Sequence, residues 1–97
     1  MLRAILSRRA ADTLTGMDLY VAFLGGPLAD GRMGEGHEVV VVVAGDLAEA
    51  KARAKAKWSG VGRGHVDALQ RIEMVDGFEI ALAEVGSGDR VVLDDYN

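Results

Sequence analysis

The chain has 97 residues and a mass of 10.3 kDa, which suits one domain with a single core and leaves no room for a separate catalytic domain. Apolar residues make up 49% and charged residues 27%, with a mean hydropathy of +0.13, a profile that excludes general disorder. No apolar run approaches ~20 residues, so no helical membrane span is expected; the absence of cysteine removes thiol chemistry and cysteine-type metal sites and fits a cytoplasmic setting.

Charge is distributed unevenly. The net charge is −4, from 11 basic and 15 acidic residues. Residues 1–16 hold Arg3, Arg8 and Arg9 against Asp12, a local +2, which leaves 8 basic and 14 acidic residues, or −6, in the body. An acidic body repels nucleic-acid phosphates at long range, which argues against a nucleic-acid partner.

Leu2, Ile5, Leu6, Ala10 and Leu14 recur at helical spacing before Gly16. The pattern predicts a peripheral N-terminal helix over residues 1–16, ahead of a single domain over residues 17–97. The arginine-rich composition also fits a weak transit peptide, and an extension upstream of Met17 is a third reading. Residues 18–24 read as a first strand, stopped by Gly25-Gly26-Pro27. Five glycines and the only proline between Gly25 and Gly36 predict a long loop. A second strand over residues 37–44 contains five consecutive valines, whose β-branching suits a pleat.

Asp46 and Glu49 mark a helix start, the first as a cap and the second reaching back toward it. Leu47, Ala50, Ala54, Trp58 and Val61 fall on one helical stripe, and Ser59-Gly60 is expected to end the helix. Residues 66–75 read as a third strand and residues 78–85 as a fourth. Asp76-Gly77 between them suits the positive φ angles of a tight hairpin. Beyond the break at Gly86-Ser87-Gly88, residues Arg90 to Leu93 form a short added strand or pack loosely. The fold class expected is α+β, a single four-stranded sheet in β-β-α-β-β order with one main helix on one face.

The two long strands are apolar on both sides. Val39, Val41 and Val43 point one way, Val40, Val42 and Ala44 the other. Such strands are usually buried on both faces, and one helix covers only one. A second copy of the chain is the expected cover, so the sequence predicts a homodimer.

A right-handed return through the helix gathers Gly25, Gly26, His37, Trp58 and His65 at one end of the sheet, with Glu84 and Gly86 nearby. These five are the expected ligand-binding residues. His37 and His65 are candidate proton-transfer groups, with Glu38 or Asp67 as orienting acid; the plainer alternative has each imidazole capping a strand end. Trp58 also reads as packing. The spacing matches no zinc signature, so no metal is expected. Neither glycine-rich segment leads into a helix N-terminus, so no phosphate cradle forms. No dinucleotide fingerprint or nucleophile elbow is present, and Ser7, Ser59 and Ser87 are poorly placed as nucleophiles. No particular cofactor is implied.

Leu19-Tyr20-Val21-Ala22-Phe23-Leu24-Gly25-Gly26, then Glu35-Gly36-His37-Glu38, Trp58, His65-Val66-Asp67-Ala68 and Val75-Asp76-Gly77-Phe78-Glu79-Ile80 together resemble a small bacterial domain-of-unknown-function family, number 1543. The resemblance covers about residues 18–84. It implies one or two copies of the domain per chain, which suits paired domains, and carries no assigned activity. The family's usual His-Asp pair stands here as His37-Glu38, the same charge on a longer arm. The reading is a small dimeric module binding a small molecule near His37 and His65. The alternative is a small hydrolase or metal-assisted enzyme using those histidines with Glu38 or Asp67.

Overall fold

The valine-rich strand and the strand before it pair over their whole length. In a computed structural model that describes residues 16–28 and 34–95, β1 (Asp18–Pro27) and β2 (Glu35–Ala44) run antiparallel from Asp18↔Ala44 to Pro27↔Glu35. Helix α1 (Leu47–Ala56) then returns the chain, and β3 (His65–Ile72) pairs antiparallel with the other side of β1. The strand order is β2-β1-β3. Both flanking strands oppose β1, so they run the same way, as the helical return between them requires. Apart from Gly16, the helix expected over residues 1–16 lies outside the described residues. No helix among the described residues is long and apolar enough to cross a membrane.

The expectation of one four-stranded sheet is corrected. The main sheet has three strands, and β4 (Met74–Val75) with β5 (Phe78–Glu79) forms a separate two-stranded hairpin. The turn itself is as expected, with Asp76 at φ 53° and Gly77 at φ 84°. The hairpin is exposed throughout, because a ten-residue helix, ~15 Å long, covers only the three-stranded sheet. Residues 80–95 form no helix or strand, so the expected fourth strand over 78–85 stops at Glu79 and does not carry Glu84 and Gly86 to the histidine end.

The core occupies one face. Tyr20, Ala22, Leu24, Val42 and Ala44 alternate along β1 and β2 and are buried against Ala50 and Ala54 of α1. The two alanines let the helix axis approach the sheet closely. Leu47, placed on the same stripe by its spacing, is 63% exposed. On the opposite face Phe23, Val39 and Val41 remain exposed.

Capping begins α1 as the sequence predicts. Asp46 Oδ1 accepts from the Glu49 amide at 2.8 Å, and Glu49 Oε1 accepts from the Gly45 amide at 3.0 Å. The helix ends at Ala56 rather than at Ser59-Gly60. Lys57 and Trp58 donate backbone bonds to Ala54 and Lys55, a tightened last turn that swings the indole back over the sheet. Lys57 Nζ donates to the Val41 carbonyl at 2.7 Å and lies 2.9 Å from Asp89 Oδ2. A lysine on the outer side of β2 occupies one of the edge carbonyls that would otherwise be open to another strand. Replacing the cap, Asp46→Ala, should cost about 1 kcal/mol of stability, read as a lowered urea midpoint with an unchanged m-value.

Candidate functional site

Two consecutive glycines precede the last residue of β1, and each clears space on a different face of the sheet. Gly25 is paired with His37 on β2 and with His65 on β3, so both imidazoles rise on its face. A Cβ at Gly25 would lie 2.9 Å from His65 Nε2, 3.1 Å from Asp67 Oδ2 and 3.3 Å from His37 Nδ1. The three groups thus converge over a bare backbone floor. Gly25 and Gly26 belong to the strand and not to the expected loop, and the next residue, Pro27, closes the ladder.

Asp67 reaches this group through an irregularity in β3. The pairing Leu24↔Val66 is followed by Phe23↔Ala68, which leaves Asp67 as the extra residue of a bulge. A bulge re-aims a side chain locally. Here it brings the carboxylate between the rings, with Oδ1 at 3.0 Å from His65 Nε2 and Oδ2 at 3.8 Å from His37 Nδ1. Glu35, two residues before His37 and on the same face, places Oε2 3.7 Å from His65 Nε2. A carboxylate only accepts, so the 3.0 Å approach favours the His65 tautomer that carries its proton on Nε2. These side chains are about half exposed, from 46% for Asp67 to 66% for His37. Exposed pairs of this kind contribute ~0–1 kcal/mol each, so the cluster adds little to folding.

Glu38, an expected orienting acid, faces the other way. It accepts from the Ser59 amide at 2.9 Å and from the Ser59 hydroxyl at 2.6 Å, tying the segment after α1 to β2. Gly26 and Trp58 also lie on the helix face. A Cβ at Gly26 would stand 2.7 Å from the indole Cζ2, one at Gly64 2.7 Å from its Cγ, and one at Gly60 would strike both the ring and the Pro27 carbonyl. The indole is seated among three glycines and donates from Nε1 to the Val61 carbonyl at 3.3 Å. Of the five expected ligand-binding residues, Gly25, His37 and His65 come together, while Gly26 and Trp58 pack against each other behind them. A cleft of about 550 Å³ opens beside the indole, lined in part by Lys55, Arg63 and Gly64.

Glu35 is the member of the cluster that spacing alone could have singled out, because in a strand residues 35 and 37 share a face and residue 38 does not. Nothing local announces the bulge at Asp67. Among the described residues no group of three or more His, Asp or Glu side chains is placed to hold a metal ion.

The fold and site therefore define a small α+β domain with a one-sided three-stranded sheet and a His–Asp–His cluster on its open face. The profile of the family described as Domain of Unknown Function (DUF1543) matches residues 32–82, just over half of the chain, and the chain belongs to that family. The matched range takes in β2, α1, β3 and the β4–β5 hairpin and leaves β1 outside. No curated protein and no solved structure matches the chain.

Substitutions on the two faces should separate. Gly25→Ala is expected to shift the ring ¹⁵N signals of both imidazoles in ¹H–¹⁵N NMR while leaving the α1 amides in place. Gly60→Ala should instead destabilise the domain by ~1–3 kcal/mol through overpacking, seen as a lowered thermal midpoint and altered Trp58 fluorescence.

Proposed function

We propose that the protein is a small homodimeric binding module of the bacterial cytoplasm, in which a second copy covers the open sheet face and the His37–Asp67–His65 cluster at one end of that face holds a small polar ligand. The observation that carries this reading is the juxtaposition of exposed Phe23, Val39 and Val41 with that cluster on one sheet face. Apolar sheet surface of this extent favours a protein partner, and polar groups converging over bare backbone favour a ligand. Asp67 and Glu35 offer acceptors, so the ligand chemistry that suits the cluster is a hydroxyl- or amine-bearing molecule. The lack of cysteine supports a reducing compartment.

A second reading is a small hydrolase, favoured by the 3.0 Å contact between Asp67 and His65. That contact can orient an imidazole for proton transfer, with Asp67 rather than Glu38 in the orienting role.

Two measurements test the binding reading. Light scattering at micromolar concentration should return twice the 10.3 kDa chain mass, and Val41→Lys should weaken the dimer at least tenfold with the far-UV circular dichroism of the folded chain unchanged, because Val41 is already 50% exposed in one chain. Titration with a panel of polyols and amines should move the His37 and His65 imidazole signals together, and Asp67→Ala should abolish the response. A monomeric mass, or imidazoles silent to the whole panel, overturns the corresponding half of the proposal.

A further inference from the structure

The C-terminal segment has the complementary problem to the sheet. Val91, Val92 and Leu93 are 92%, 70% and 74% exposed, and no helix or strand includes them. Three large apolar side chains in a row on an uncovered segment have the same unfavourable contact with water as the bare sheet face. Within one chain the two surfaces do not satisfy each other, since Val39 and Val41 stay 59% and 50% exposed.

An ion pair holds the start of this segment. Asp89 lies 2.9 Å from Lys57 Nζ, the same amine that donates to the Val41 carbonyl on the outer edge of β2. The segment from Arg90 onward therefore departs from the border of the open face. Four extended residues reach ~13 Å, enough to cross most of a three-stranded sheet whose strands are ~4.8 Å apart.

Size supplies the second argument. Three strands of about ten residues make a footprint of roughly 14 by 30 Å, on the order of 400 Å². A stable dimer interface takes ~800 Å² from each partner. The open sheet face of each copy, whatever part of the partner covers it, supplies about half of that. An apolar segment contributed by each copy makes up much of the difference, and a two-fold arrangement makes the contribution reciprocal.

We infer that the homodimer is arm-exchanged: residues 90–93 of each copy lie across the open sheet face of the other, over Val39 and Val41. This rests on the dimer reading above and adds the segment that completes the interface. It also places the arm along the face that carries the histidine cluster, so the partner copy borders the ligand site.

The test uses the full chain, which has no native cysteine, so that single cysteines report cleanly. Val91→Cys chains, ¹⁵N-labelled, are mixed with unlabelled Val39→Cys chains and oxidised under mild conditions. The expected product is a disulfide-linked pair with the mass of one labelled and one unlabelled chain. A doubly substituted chain, Val39→Cys with Val91→Cys, should likewise link between copies. A monomer-mass intrachain disulfide from that chain would show the arm strapped over its own face and overturn the inference. In parallel, Val91→Lys with Leu93→Lys should weaken dimerisation at least tenfold by sedimentation; both sites are exposed, so folding is not at risk. A dimer undiminished by that change overturns the exchange and leaves the dimer standing. A monomeric unsubstituted chain overturns both.

Discussion

The absence of two side chains at the end of β1 is the constraint on which the rest of this structure depends. Gly25 and Gly26 are neighbours in a strand, so whatever each lacks, it lacks on a different face. Behind Gly26 the missing Cβ admits the Trp58 indole, which also rests on Gly60 and Gly64. In front of Gly25 the missing Cβ leaves room for two imidazoles and a carboxylate to converge. One dipeptide thus seats the aromatic that closes the core and clears the floor of the candidate site. Any side chain at either position would compete with one of these groups for the same volume.

This arrangement explains why the helix stops where it does. The stripe from Ala50 through Ala54 points onward to Trp58, but the last regular turn ends at Ala56 and the indole comes down onto the strand glycines. Glu38 secures the same corner by accepting twice from Ser59. Glu38 is thereby committed to fastening the post-helix segment on the face away from the histidines. The acid that serves the imidazoles comes instead from β3, delivered by a bulge.

The domain is one-sided in its energetics as well as its geometry. Its buried side chains are those of β1, β2 and α1 that meet on the helix face, many of them alanine. Fully burying a valine or leucine is worth ~1.5–3 kcal/mol, and the exposed valines of the open face and the C-terminal segment withhold that contribution from the single chain. Chain and partner together can recover it. In the proposed dimer the polar cluster would lie at the rim of the covered face, where a ligand can enter from solvent.

Local pattern alone settled much of this protein. The five-valine strand, the Asp46–Glu49 cap, the Asp76-Gly77 turn and the return through one helix are all readable from residues a few positions apart, because caps, pleats and tight turns are set by short-range sterics and hydrogen bonding. The same reasoning placed both histidines at one end of the sheet. Tertiary structure decided the rest. Glycines that read as a loop became strand because imidazoles and an indole from distant segments occupy the space above and below them. Asp67 joined the histidines because the β1–β3 register slips by one residue, which no local signal in β3 specifies. The expected fourth strand stopped at Glu79 as half of a separate hairpin, because joining the main sheet needs a register with a distant strand that no local pattern in residues 78–85 specifies.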